Sequence, residues 1–273
     1  MVKATYGHGT HNDFVLVFDE TDELKFSEEQ IKRICDRKTG IGSDGFIKIV
    51  KKDGNWFMDY SNADGSQAEM CGNGIRVMAR YLTDRKHQKS GIYAINTRDG
   101  KKFLAVPEQG DISVNMGQVS QVPGEIIVEA NSNKYQGFNI NVGNPHAVVF
   151  TDDLAKIGDL KSAPIVSPAD QYLDGVNVEF VEFMENGEIM MRVHERGVGE
   201  TQSCGTGTCA VAFAATIKKN QKLPSKWIIN PPGGQLIVEI DAHSNATLTG
   251  PAELVRDIEL DAVSYTHLRA HET

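Results

Sequence analysis

The chain has 273 residues, 40% of them hydrophobic and 24% charged, a balance that excludes an extended disordered polymer. Its 28 basic residues are outnumbered by 37 acidic ones, for a net charge of −9. That sign argues against nucleic acid or an anionic membrane surface as partner, since both need net positive charge. A small anionic ligand needs only a local positive spot and stays open. No apolar run approaches the roughly 20 residues of a membrane span, and residues 1–20 lack the basic-then-apolar order of a signal peptide. A soluble, cytoplasmic chain is expected.

In chain order, the first strand is expected at 14–18. A helix follows at 27–37, where Ser27 and Gln30 form a capping-box pattern and Ile31, Ile34 and Cys35 recur on one face. Strands are expected at 46–50 and 56–60. A helix over 75–85 places Ile75, Met78, Ala79 and Leu82 on one stripe. Short strand-like runs, punctuated by Gly, Pro, Asn or Asp, follow at 112–115, 126–129, 138–142, 147–150, 176–183 and 189–194. A third helix, 208–219, is apolar nearly all round and should be buried. Strands at 226–229, 236–240 and 246–248 close the regular pattern. The segment 263–273 has no clear period and is set aside as a disordered or non-native tail.

The two later helices expose a repeat. Each follows a cysteine-led, glycine-rich turn: Cys71-Gly72-Asn73-Gly74 and Cys204-Gly205-Thr206-Gly207, 133 positions apart. Strand-rich sequence flanks both. Two homologous halves are expected to meet around a cleft, with domains at 1–118 and 119–262.

The four cysteines, Cys35, Cys71, Cys204 and Cys209, are too few and scattered for a disulfide scaffold, and no CxxC pair suggests a zinc ribbon. Cys35 and Cys209 fall inside helices and are expected in the core. Cys71 and Cys204 fall at helix starts. There the positive end of the macrodipole and free backbone N–H groups favour a thiolate. The same N–H groups can cradle a carboxylate or phosphate. One such turn is compatible with a purely structural role. Two copies in two halves suit a reaction that removes a proton from one face of a carbon and returns it on the other, with one thiolate and one thiol.

Polar groups accompany these turns: Asn12, Asn62, Asn144, His146, Asn177, Glu195 and Arg196. Asparagine can meet both an ammonium and a carboxylate. Arg196 could fork onto a carboxylate and Glu195 pair with an ammonium. His146 could orient a neighbour or tune a thiol.

Asn62-Ala63-Asp64-Gly65-Ser66 with Met70-Cys71-Gly72-Asn73-Gly74-Ile75-Arg76 resembles the first signature of diaminopimelate epimerases. Glu195-Arg196-Gly197-Val198-Gly199-Glu200-Thr201 with Cys204-Gly205-Thr206-Gly207 resembles the second. Gly143-Asn144-Pro145-His146 and the early Gly7-His8-Gly9-Thr10…Asn12-Asp13-Phe14 also match. The resemblance covers roughly residues 3–260. It implies an α/β (α+β) fold of two pseudo-symmetric domains, each a curved, mainly antiparallel or mixed sheet wrapped around a central helix. It implies interconversion of LL- and meso-2,6-diaminopimelate, on the path to lysine and the peptidoglycan cross-link, without cofactor or metal. A homodimer is implied.

Carried over by position, Cys71 and Cys204 are the acid/base pair, and His146 and Glu195 support catalysis. Gly72, Asn73, Gly205 and Thr206 correspond to the cradle of the reacting carboxylate. Asn12, Asn62, Asn144, Asn177, Glu195 and Arg196 correspond to the groups holding the two ends of the substrate. Two departures stand out. Many members carry a substrate-contacting Gln where this chain has Asp44-Gly45, and the Gly7–His11 loop differs from the commoner form.

The rival readings are a proline- or hydroxyproline-type racemase of the same fold and a non-catalytic anion-binding or thiol-redox protein. The first typically carries His where Asn73 stands and lacks the Glu195–Thr201 approach. A phenazine-pathway type of isomerase would lack the cysteine pair.

Overall fold

The computed structural model describes residues 1–260; the tail set aside at 263–273 lies outside the described residues. The chain forms two compact units, Met1–Ile112 with residues 252–260, and Ser113–Pro251.

The first unit opens with β1 (Val2–Gly9), β2 (Asn12–Phe18), α1 (Glu28–Cys35), β3 (Gly45–Lys52) and β4 (Asn55–Asn62). It continues with α2 (Gly72–Asp84), β5 (Gly91–Thr97) and β6 (Gly100–Val106). Three antiparallel hairpins, β1–β2, β3–β4 and β5–β6, join through parallel β2–β3 and β4–β5 contacts. The β1–β2 connection turns on Thr10 and His11, both at positive φ (50° and 58°), the conformation of a type I′ hairpin. Alternation along β2 divides its side chains. Val15 and Val17 pack with Ile31, Ile34 and Cys35 of α1, and Phe14 lies against Gly74 of α2.

The second unit comprises β7 (Ile112–Gln118), β8 (Ser120–Gln121), β9 (Ile126–Ala130), β10 (Asn133–Asn141), β11 (Pro145–Phe150) and β12 (Ile165–Ser167). It goes on with β13 (Asn177–Phe183), β14 (Ile189–Glu195), β15 (Gly199–Thr201), α3 (Gly205–Lys218), β16 (Ser225–Asn230), β17 (Leu236–Ile240) and β18 (Asn245–Gly250). Its core repeats the order of the first unit. Hairpins β10–β11, β13–β14 and β16–β17 join through parallel β11–β13 and β14–β16 contacts, and α3 follows the second hairpin as α2 does. Along β13, Val178 and Phe180 enter a cluster with Ile157 and Leu160. Glu179, on the opposite face, points at α3.

The boundary differs from the sequence reading, which divided the chain after 118 and left its end in the second half. The last strand, β19 (Glu253–Leu260), pairs antiparallel with β1, Val2 opposite Leu260 and His8 opposite Glu253. A terminal strand is stabilised where it satisfies an otherwise open edge, and here that edge belongs to the first unit.

Both later helices start three residues earlier than expected, so the glycine turns form their first turns. The apolar α3 is buried on nearly every side, and Cys35 and Cys209 lie in the core. Among the described residues no helix is long and apolar enough to cross a membrane.

Candidate active site

In the first unit, Cys71 is the N-cap of α2. Its extended backbone (φ −133°, ψ 120°) lets the sulfur accept the Gly74 N–H at 3.5 Å, a side-chain cap on one of the helix's unpaired donors. Gly74 sits close under the sheet, where a Cβ would press on Ile47 Cδ1 at 3.0 Å and on the Phe14 ring at 3.3 Å. The half-buried Cys71 thiol donates to Asn12 Oδ1 at 3.5 Å. The same oxygen accepts from Asn73 Nδ2 at 3.2 Å, and Thr10 Oγ1 donates to Asn73 Oδ1 at 3.4 Å. The amides of Asn12 and Asn73 thus lie beside this thiol.

A charged layer holds Asn12. Its Nδ2 donates to Asp44 Oδ2 at 2.8 Å, and the Asp44 N–H donates to Asp13 Oδ1 at 2.7 Å. Arg37 forks onto Asp13 at 3.0 and 2.9 Å and reaches Asp44 at 2.7 Å. Tyr6 donates to Asp13 Oδ2 at 2.5 Å. Burial works to raise the Asp13 carboxyl, yet the bonds from Arg37, Tyr6 and the Asp44 N–H outweigh it and hold it below its usual range. Asn62 is engaged in its own turn, with Nδ2 on Ser66 Oγ at 3.0 Å, directly across the β3–β4 ladder from Gly45. A Cβ at Gly45 would stand 2.6 Å from Tyr60 Cε2 and 3.1 Å from its hydroxyl. The Tyr60 ring fills the space that a side chain at residue 45 would take.

In the second unit, Cys204 is the N-cap of α3 in nearly the same conformation (φ −125°, ψ 118°), its sulfur accepting the Gly207 N–H at 3.4 Å. Here the surroundings are acidic. The Glu195 carboxyl lies near the Cys204 thiol, and its Oε1 accepts from Thr201. Thr206 Oγ1 stands 3.6 Å from the sulfur and 3.4 Å from Asn144 Nδ2. His146 has Nε2 2.9 Å from Asn144 Oδ1 and Nδ1 2.7 Å from Glu179 Oε1. Asn177 Oδ1 accepts the Arg196 N–H at 3.0 Å. The exposed Arg196 lays its Cγ and Cδ over Gly175 and donates from its guanidinium to the Asp174 carbonyl at 3.3 Å.

These contacts set the protonation of the second group. Burial pushes the Cys204 thiol well above its ordinary value, and the charges of Glu195 and Glu179 add to the rise. Burial also raises the Glu195 carboxyl, against the Thr201 bond and the nearby Cys204 thiol, which favour its ionised form. Cys204 therefore rests as a thiol, suited to donate a proton.

The chain matches the family model for diaminopimelate epimerase over residues 4–122 and 138–255. The chain belongs to the diaminopimelate epimerase family. A diaminopimelate epimerase of Streptomyces coelicolor is 42% identical over 272 residues, covering 94% of this chain and 94% of that relative. The fold is shared more widely. A phenazine biosynthesis protein of Bacillus anthracis superposes with a TM-score of 0.74 at 14% identity, over 95% of this chain and 98% of that one. A probable proline racemase of Agrobacterium radiobacter gives 0.72 at 13% identity, over 96% and 93%. At such identities the likeness carries the architecture and not the chemistry.

Within each unit the family residues named from sequence gather into one group, except Asn62, which bonds Ser66 within its own turn. Asn12, Cys71, Gly72 and Asn73 lie around the α2 start. Asn144, His146, Glu195, Cys204, Gly205 and Thr206 lie around the α3 start, with Asn177 and Arg196 bonded beside them. Sequence reasoning missed the layer behind them: Asp13, Arg37 and Asp44 supporting Asn12, Thr201 on Glu195, and Glu179 on His146. The one available signal was Glu179 itself, an acid amid the apolar run Val178-Glu179-Phe180-Val181.

Proposed function

We propose that the chain interconverts LL- and meso-2,6-diaminopimelate by moving a proton at one α-carbon. One cysteine, as thiolate, takes the α-proton, and the other, as thiol, returns one to the opposite face; the roles exchange in reverse. As the proton leaves, negative charge spreads onto the substrate carboxylate. The N–H groups opening α2 and α3 suit that charge. Asn12, Asn62, Asn144, Asn177, Glu195 and Arg196 are the groups for the substrate's ammonium and carboxylate ends. Binding them by directed hydrogen bonds would reject the wrong distal isomer, which leaves buried partners unpaired. The same reading has the enzyme work without cofactor, in the cytoplasm and as a homodimer. The meso isomer would feed lysine and peptidoglycan synthesis.

The observation that carries this reading is the matched pair of cysteine caps, each sulfur on the N–H of the third residue onward, in a chain of this family. The test is an LL- to meso-diaminopimelate assay run beside D- and L-proline. Wild type should turn over diaminopimelate and leave proline untouched. Cys71→Ser and Cys204→Ser should each slow turnover by about 10²- to 10⁴-fold. Proline racemisation without diaminopimelate turnover would overturn the reading.

A further inference from the structure

Glu179 is fully buried, as is His146. It stands in the middle of β13, opposite Val148 on one side and Val193 on the other. One of its oxygens, Oε1, meets His146 Nδ1 at 2.7 Å. The other, Oε2, has no hydrogen-bond partner among the described residues. As a purely structural group this is a poor arrangement, because a well-packed apolar side chain in the place of a buried ionic pair is often as stable or more so.

The position of Glu179 gives it another use. His146 is the next link, with Nε2 2.9 Å from Asn144 Oδ1. Asn144 then donates through Nδ2 to Thr206 Oγ1 at 3.4 Å, and Thr206 stands 3.6 Å from Cys204 Sγ. Glu179 Oε1 also lies under the helix start, where a Cβ on Gly207 would come within 2.6 Å of it. Glu179 therefore touches both the residue that caps the Cys204 sulfur and the histidine that sets the Asn144 amide.

We propose that Glu179 is a positioning residue for epimerisation: a proton held between its Oε1 and His146 Nδ1 leaves the ring's other proton on Nε2, so that Asn144 is held by its oxygen and turns its N–H toward the carboxylate cradle beside Cys204. Without a partner on Nδ1, the proton of a neutral ring is free to sit on either nitrogen. When Nε2 is bare it calls for the Asn144 N–H, and the amide turns its oxygen toward the cradle. An oxygen there repels the charge that builds on the carboxylate as the α-proton leaves. The loss should therefore fall on kcat more than on KM.

The inference rests on the epimerase reading, and two full-length variants with two readouts keep them separable. Glu179→Gln offers an amide N–H to Nδ1 and should lose far less kcat than the variant that offers none. Glu179→Leu fills similar volume with no partner. It should fold with undiminished thermal stability yet lose about 10- to 100-fold in kcat, as loss of a supporting partner commonly does. Long-range nitrogen–proton NMR of the histidine rings, with His146→Asn for assignment, should find the His146 proton on Nε2 in wild type and Glu179→Gln. In Glu179→Leu it should be shared between the nitrogens. Full kcat in folded Glu179→Leu, or a kcat loss of about 10- to 100-fold in folded Glu179→Gln, overturns the proposal. If Glu179→Leu does not fold, Glu179→Gln still decides it. If wild type shows no epimerisation, the functional reading fails, and the NMR comparison alone supports or overturns the positioning of His146.

Discussion

Cys71 and Cys204 occupy the same cap position of their helices in nearly the same backbone conformation, yet one thiol faces amides and the other carboxylates. The repeat supplies two equivalent sulfurs set in unequal surroundings.

That inequality has a direct chemical consequence. The thiolate is the form that alkylates, and burial, Glu195 and Glu179 all disfavour it at Cys204. In a Cys71→Ser background, iodoacetamide should label Cys204 slowly at pH 8, and the rate should climb only above the ordinary thiol range. Glu195→Gln removes one of the opposing charges and should speed labelling at pH 8. Mass spectrometry of the α3 peptide reads both rates. Equal labelling in the two backgrounds would contradict the electrostatic asymmetry.

Gly45 and Tyr60 are expected to be coupled. A Cβ at residue 45 would press on the Tyr60 ring at 2.6 Å, so Gly45→Ala should cost about 1–3 kcal/mol in urea unfolding, in the range for overpacking. Tyr60→Ile alone should cost stability too. The double variant should be more stable than the two losses added, because the ring is the obstacle. Strict additivity would show that the backbone carbonyl of Ser61, 3.0 Å from that Cβ, is the obstacle instead.

The Asp13 network ties stability to acid pH. Burial opposes ionisation of Asp13, but its bonds to Arg37 and Tyr6 leave its carboxyl lower in the folded chain than in the unfolded one. Its contribution is then present above the unfolded value and fades as pH falls through the lowered folded value. Asp13→Asn should cost about 1–3 kcal/mol at pH 7, and the gap to wild type should close on acidification to pH 3. A gap that holds constant from pH 7 to pH 3 would contradict this.

Most of what orders the site could be read from the chain. The spacing of Cys71 and Cys204 announced two related units, and the apolar circumference of 208–219 announced a buried helix. The capping pattern at Ser27 and Gln30 forms as expected, with reciprocal bonds of 3.2 and 2.7 Å. The misses have physical reasons. Strands β1 and β6 carry Lys3, His8, Lys101 and Lys102 among their apolar residues, which blurs the local period. Residues 253–260 belong to the first unit through a pairing across the whole length of the chain, which no local pattern can reveal. Asp13, Arg37, Asp44 and Glu179 act through contacts 24 to 33 residues apart, and each looks like an ordinary charge on its own.

The central claim is that two monoprotic thiols serve one carbon, and deuterium transfer tests it most directly. In D2O, with LL-diaminopimelate stopped at low conversion, the meso product should carry one deuterium at the inverted α-carbon. The recovered LL substrate should carry almost none, because the base that takes its proton is not the acid that delivers the new one. Cys71→Ser and Cys204→Ser should each suppress product formation. Deuterium appearing equally in recovered substrate and product, or undiminished turnover in either variant, would contradict the two-thiol account.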